Sequence, residues 1–485
     1  MKKNKESLLK ILYLIATIAF IFPSINYLIK YKTVLGFNEW FKYFLDDTDR
    51  GIQTITYIGI LLLITVIYVL LIKFRKKIFE NIKQVLIYTG IIGFIYLFTI
   101  PFMCSDVFYY LGVGRIDAAY NQNPYYSTIK EFVNENKDTN PDIKKDSVLA
   151  QGYVNDWADS TVVYGPVWQI ICKGTSLLSF GNVNIGLFVF KLINLIVHIF
   201  NCYLIYKITG KKIFAIIYGL NPFILIEGLM SVHNDIFVVM FTLLSLFFML
   251  KKKKIGISMV FLAMATAIKY FPILLLPFML IYYFRKEKTV LTRFLKCLKY
   301  GLIFLGVVIL TYLLYVRDAE VLSGIGTQQT KIAKSIYIPI SQFFENTNIS
   351  ALSMILLEIF IIIYFFSCLK LLFKKDIRFR DLMQKYNIFL LVFLFLLITQ
   401  FQIWYLMWLI PVLMWQKANN LKIMVGILLI SEFANTVFLA NGEGYTNGTP
   451  FVIVLYTLVL GFAVFIEKQS NKRKIECFKK RLKEE

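Results

Sequence analysis

The ionisable residues of this chain that could do chemistry are few, and most stand at the ends of apolar runs. Asp106 follows the apolar segment ending PFMCS and opens DVFYYLGVGRIDAAY, which also carries Arg115 and Asp117. Lys269 separates two apolar runs in AIKYFPILLLPF; His233, Asn234 and Asp235 stand together in SVHNDIFVV; and Gln402, Trp404 and Tyr405 lie in FQIWYLMW. A carboxylate held at the end of an apolar segment can take a proton as a general base. A cation beside it can stabilise an anion that develops during reaction, and Arg115, Lys269 and Arg317 are the candidates. The two histidines, His198 and His233, are too few for a histidine metal cage. No P-loop, HExxH, GxSxG or strand-linked GxGxxG motif is present.

Each of these residues also has an ordinary structural reading. An Asp after an apolar run is often a helix cap or a solvated loop residue, and His233, Asn234 and Asp235 can be read equally as an N-cap. Arg115 either binds phosphate bidentately or pairs with Asp117 or another loop carboxylate. Lys269 either faces a cavity or snorkels to the surface. Gln402, Trp404 and Tyr405 form either an interfacial aromatic belt or a wall on which a sugar stacks. Tyr164, Gly165 and Pro166 are expected to turn the chain back. If Asp106 to Asp117 is one helix, the two carboxylates share a face but stand ~16 Å apart, so they cannot hold one ion between them. His198 and Glu432 lie within apolar runs and need partners that the sequence does not identify.

The elements that must position these residues are membrane helices. Of the 485 residues, 58% are hydrophobic and 17% aromatic, with a mean hydropathy of +0.65, which excludes a soluble fold and places the chain among all-α polytopic membrane proteins. A net charge of +23 comes from short basic clusters between apolar runs, the positive-inside pattern, and not from a nucleic-acid-binding face. The six cysteines are scattered without metal or redox spacing. Runs of roughly twenty apolar residues, oriented by their Lys/Arg ends, give about fourteen transmembrane helices with both termini cytoplasmic. The first is expected over Leu8–Leu28, followed by an outer loop with Asp46, Asp47 and Asp49.

The segment from 102 to 166 then falls on the extracytoplasmic side. Between Asp106 and Asp159 it carries nine acidic residues against five basic ones, whereas the inner turns are almost purely basic. Val167–Phe180 is read as an interfacial helix, because a full crossing there would place the Lys207, Lys211 and Lys212 cluster outside. Ile255–Ile268 and Phe271–Phe284 are too short for a complete crossing, so Lys269 is expected below the outer surface in a shielded cavity. A second outer loop over 317–350 can pack on the first.

Five segments in this order, SDVFYYLGVGRIDAAYNQNPYY, VYGPVW, GLNPFILIEGLMSVHNDIFVVMF, AIKYFPILLLPF and FQIWYLMWLIP, resemble the GT-C glycosyltransferases that use lipid-linked sugars. The nearest likeness is to bacterial polyprenyl-phosphate-mannose-dependent mannosyltransferases. The resemblance implies a catalytic membrane core over 84–416, preceded by a two-helix module at 1–83 and followed by helices and a basic cytoplasmic tail at 417–485. It implies transfer of a hexose, mannose favoured, from a polyprenyl-phosphate donor to a glycan or lipid acceptor at the extracytoplasmic face, with inversion. Asp106 matches the catalytic carboxylate of the first large outer loop; Arg115 and Lys269 are expected to hold the donor phosphate. Asp117, Tyr164, His233, Asn234, Asp235, Arg317, Gln402, Trp404 and Tyr405 are expected around the substrates. The chain departs from many relatives in having two helices before that loop. It also lacks the adjacent acidic pair that would hold a divalent cation, Asp106 being flanked by Ser105 and Val107. The alternative from another class is a transporter or flippase of polyprenyl-linked glycans, which would spread ionisable residues through the membrane depth. A non-catalytic lipid-binding subunit would tolerate neutralisation of Asp106.

Overall fold

The computed structural model describes residues 2–21, 50–101, 104–324, 331–344, 348–441 and 448–484. The expected outer loop with Asp46, Asp47 and Asp49 lies outside the described residues. The described chain is helical, and its only β pairing is one isolated parallel bridge between Ala333 and Gln400. Among the described residues six helices are long and apolar enough to cross a membrane: Thr54–Ile78, Val183–Thr209, Val290–Tyr312, Ile349–Phe373, Ala418–Val437 and Thr449–Ile466. The pair Lys212–Gly219 and Pro222–Met230, bent by 54° at its break, makes a seventh if counted as one span.

Length therefore supports six or seven complete crossings where the hydropathy pattern suggested fourteen. The remaining apolar helices, among them Ile82–Tyr96, Asp235–Leu250, Ile255–Thr266 and Phe271–Tyr283, have 10–17 residues. At 1.5 Å per residue none of these reaches the ~30 Å of a hydrocarbon core. Proline accounts for part of the shortening. Pro222, Pro272 and Pro411 each stand in the first turn of a helical segment, where a missing N–H costs nothing but the preceding helix must stop.

The bent pair is held from one side by polar residues of Val183–Thr209. Lys191 Nζ donates to the carbonyls of Tyr96 at 2.9 Å and Leu229 at 3.3 Å, and Asn194 Nδ2 donates to the Gly228 carbonyl at 2.8 Å. His198 meets the Gly219 carbonyl at 3.0 Å, and Asn201 donates to the Ile236 carbonyl at 3.0 Å. A break in a buried helix leaves backbone carbonyls without partners; these side chains supply them. Glu227, His233 and Asp235 all follow the break, Glu227 in the second half of the pair and the other two just beyond.

The first polar loop folds as a small helical layer. Asp106–Tyr120 is one helix, and it packs on Pro166–Leu177 so closely that a Cβ at Gly114 would lie 2.3 Å from the Cys172 carbonyl oxygen. Between them run the short helices Ile129–Asn136, Pro141–Lys145 and Ser147–Tyr153. A capping box of Thr128 and Glu131 starts the first, and Asp146 caps the third through the amides of Val148 and Leu149.

The loop returns at Gly165, where the backbone lies against the turn that carries Lys269. The amides of Gly165 and Val167 donate to the carbonyls of Ile268 at 3.1 Å and Ala267 at 3.0 Å. A Cβ at Gly165 would stand 2.3 Å from the Ala267 carbonyl oxygen. Only glycine permits that approach.

Candidate active site

Asp106 is the first residue of its helix and is buried. Trp157 Nε1 donates to its Oδ1 at 3.2 Å, and the Tyr110 hydroxyl donates to its Oδ2 at 3.3 Å. Tyr110 also meets the hydroxyl of Tyr164 at 3.3 Å. Burial pushes the Asp106 carboxyl above the usual carboxylate range. Hydrogen bonds from Cys104, Trp157 and Tyr110 and the charge of Lys269 act the other way. A carboxylate so placed is a better proton acceptor than an exposed one, provided it is ionised.

Lys269 is buried and ion-paired. Its Nζ lies 2.8 Å from Oδ1 and 2.7 Å from Oδ2 of Asp235, and the Trp408 indole donates to the same Oδ1 at 2.5 Å. Around the ammonium stand the rings of Tyr405, Tyr164 and Trp408, with centroids at 4.5, 5.8 and 5.7 Å. The aromatic wall is itself stacked, Tyr405 on Trp408 at 4.7 Å and Trp408 on Phe271 at 3.6 Å. The lysine thus presents a positive, partly desolvated face held in place by one carboxylate and three rings.

These groups line a cavity of about 370 Å³. Asp106, Trp157, Tyr164, Lys269, Gln402, Trp404 and Tyr405 form its floor and one wall; Leu357, Phe393, Leu397 and Ile398 form an apolar side. The polar wall comes from the first loop, the lysine turn and the segment Ile403–Leu409 with Gln402 before it, the apolar side from Ile349–Phe373 and the π-helical turn Phe393–Leu397. Segments far apart in sequence meet at one opening.

The other expected residues fall elsewhere. Arg115 Nε binds Asp146 Oδ2 at 2.6 Å, and Tyr120 donates to that same oxygen at 3.3 Å; the arginine is a staple of the first loop and does not line the cavity. Asp117 takes Lys173 Nζ at 2.6 Å, Gln169 at 3.1 Å and the Tyr315 hydroxyl at 2.9 Å, again away from the cavity. Arg317 lies over the Tyr126 ring at 5.5 Å, and its amide donates to the Tyr126 hydroxyl. Asn234 precedes Asp235–Leu250 without a side-chain cap bond, and neither of its side-chain polar atoms finds a partner among the described residues.

His233 sits behind the floor. Its ring stacks on Trp404 with centroids 3.7 Å apart and 15° between planes. Nδ1 stands 3.9 Å from Asp106 Oδ2 and Nε2 stands 2.9 Å from Glu227 Oε2. Neither carboxyl oxygen of Glu227 has a hydrogen-bond partner among the described residues, whereas Oε1 of the buried Glu432 accepts from the Tyr57 hydroxyl at 2.7 Å. Glu227 and Trp157 escaped the sequence reading because nothing local marks them: each is an ordinary residue until the fold brings it against Asp106 or His233. Lys331, over the Trp157 ring at 4.5 Å, and the buried Lys334 were missed for the same reason.

Ligand-capable atoms of Cys104, Asp106 and His233 lie within 4.8 Å of one another. The set does not suit a hard divalent cation that would grip a phosphate, because it offers a thiol, an imidazole and a single carboxylate where several oxygens are wanted. The charges of Lys269 and Lys334 also act on His233, opposing a second cation there.

A desolvated carboxylate, a caged ammonium and an aromatic wall around a cavity inside a helical membrane protein are the parts of a membrane-embedded enzyme. The family model described as alpha-(1->6)-mannopyranosyltransferase, N-terminal domain, matches residues 17–285, more than half of the chain. The chain belongs to that family, which supports mannosyl transfer as its activity. Asp106, Glu227, His233, Asp235 and Lys269 all fall within the matched residues, whereas Trp404, Tyr405 and Trp408 lie beyond them. No curated protein and no solved structure matches the chain.

Proposed function

We propose that the protein transfers mannose from a polyprenyl-phosphate donor to the hydroxyl of a glycan or lipid acceptor at the extracytoplasmic face, with inversion at the anomeric carbon. The observation that carries the proposal is the two-sided cavity. A polar, carboxylate-bearing floor suits a sugar and an acceptor hydroxyl, while the adjoining apolar side of Leu357, Phe393, Leu397 and Ile398 suits a prenyl chain.

Asp106 takes the acceptor proton as the new glycosidic bond forms. The bond from the anomeric carbon to the phosphate oxygen breaks, and its electron pair leaves with the lipid phosphate. Lys269 faces the charge that develops on that phosphate, and Asp235 and the three rings keep the ammonium from swinging away. Trp404 and Tyr405 offer apolar faces for the sugar ring. Arg115, engaged by Asp146, takes no part.

The experiment is label transfer in membranes holding the protein, with polyprenyl-phosphate mannose and polyprenyl-phosphate glucose offered separately, comparing the native chain with Asp106→Asn. Transfer from the mannose donor, falling by about 10²–10⁴-fold in a variant that inserts normally, is the expected result for loss of a general base. Undiminished transfer by the variant would remove Asp106 from the reaction.

A further inference from the structure

A lipid-linked sugar phosphate has its phosphate between the tail and the sugar, so in a two-sided cavity that phosphate belongs where the apolar side meets the polar wall. Along the chain the apolar side ends at Leu397 and Ile398, and the polar rim begins at Thr399 and Gln400. The second polar loop is tied to this boundary by main-chain bonds, from the Ala333 amide to the Thr399 carbonyl at 3.0 Å and from the Phe401 amide to the Ala333 carbonyl at 2.8 Å. The Ser335 hydroxyl donates to the same Thr399 carbonyl at 2.6 Å. Two residues before the tie, Lys331 lies over the Trp157 ring with its Nζ 4.5 Å from the centroid. Trp157 in turn lines the cavity and donates to Asp106. Lys331 is only partly buried, so its ammonium stands at the opening.

The charges of the cavity require a further cation. Asp106 and Lys269 are the carboxylate and the ammonium among its lining residues, and both oxygens of Asp235 are already bound to Lys269. With Asp106 ionised, the site holds one negative charge in excess, and a donor phosphodiester brings a second that the first repels. Arg115 and Arg317 are engaged by Asp146 and by the Tyr126 ring. Lys334 is buried, with Nζ 5.8 Å from the Phe451 centroid. Lys331 has no carboxylate within ion-pair distance among the described residues, and burial alone acts on its ammonium. We infer that Lys331 binds the phosphate of the lipid-linked donor at the mouth of the cavity, seated on the Trp157 ring. The inference rests on the reading of the donor as a lipid phosphate. The ring holds the ammonium beside the boundary, which reduces the side-chain freedom lost when the phosphate arrives. Lys331 thus offsets the charge that the donor brings in. Lys269, which comes with its own counterion, is left to meet the charge that develops as the bond to the sugar breaks.

The test is binding of a polyprenyl phosphate, and of the uncharged polyprenol of the same length, to the full chain purified into lipid nanodiscs. The native protein is compared with Lys331→Met, which keeps an unbranched stem over Trp157 and removes the charge, and with Lys331→Arg, which keeps the charge. The native chain should bind the phosphate more tightly than the polyprenol. Lys331→Met should lose about tenfold in affinity for the phosphate with no change for the polyprenol, and Lys331→Arg should keep most of the native preference. In label transfer Lys331→Met should raise the donor KM by a similar factor and leave the acceptor KM unchanged. It should also blunt the rise in donor KM that added salt produces in the native chain. A Lys331→Met variant that prefers the phosphate as strongly as the native chain would overturn the inference and leave Lys331 as packing on Trp157. Equal loss of both ligands would overturn it as well, by showing a structural effect. A native chain that binds phosphate and polyprenol equally would instead overturn the lipid-phosphate reading itself, so the two failures are distinguishable.

Discussion

At the residue scale the site turns on how burial and hydrogen bonding oppose each other at Asp106. Burial raises the carboxyl above its ordinary value of about 4, so the base is protonated and idle in acid, and transfer should rise with pH through a value above that figure. Trp157 donates to Oδ1 and favours the ionised form. Trp157→Phe removes that donor, so the acid limb of a pH profile should move to higher pH; a shift toward lower pH would contradict the account. Lys269 allows a separate test, because its partner Asp235 is fully buried. Lys269→Met strands a buried carboxylate and should cost about 3–5 kcal/mol in thermal or denaturant unfolding. Adding Asp235→Asn should restore most of that stability without restoring transfer, which separates the lysine's electrostatic role from its structural one.

The element scale is where the sequence was most and least informative. A short helix after Pro166 and a lysine between two truncated apolar helices were legible, since each rests on local spacing and length. The partners of His198 and Glu432 were not. They are a backbone carbonyl exposed by the bend at Gly219 and a tyrosine hydroxyl 375 positions away, and no local pattern encodes either. Arg115 shows the same limit: its charge was visible, but the choice between a ligand phosphate and Asp146 depends on how the four loop helices pack. Helix length among the described residues does not confirm the count of fourteen spans, because hydropathy registers apolar length and not the proline breaks that divide it. Gly165 offers an element-scale prediction. Gly165→Ala forces a Cβ against the Ala267 carbonyl and should displace the lysine turn, lowering both melting temperature and transfer. Gly174→Ala, on the same surface helix with open space around it, should leave transfer unchanged and stabilise by about 0.5–1 kcal/mol.

For the whole molecule the proposed function requires a site open to two media. Asp106 and Lys269 line one cavity with the aromatic wall, and the matching family model is that of a mannosyltransferase, which favours an enzyme over a flippase. If the apolar side receives the prenyl chain, Leu357→Trp and Leu397→Trp should raise KM for a long-chain donor by about tenfold, roughly 1.4 kcal/mol, and affect a short-chain donor less. Equal effects on both donors would place the tail elsewhere.

The parallel bridge between Ala333 and Gln400 bears on how such a protein can diversify. The second polar loop is tied to the rim of the cavity by main-chain bonds, Ala333 N–H to the Thr399 carbonyl at 3.0 Å and Phe401 N–H to the Ala333 carbonyl at 2.8 Å. Bonds of that kind are indifferent to side-chain identity but strict about register. Side-chain substitutions in the loop can therefore leave its position unchanged, whereas inserting or deleting a single residue between Ala333 and Tyr337 would slide Lys334 out of its buried position. Over evolutionary time this stretch should drift in composition while holding its length.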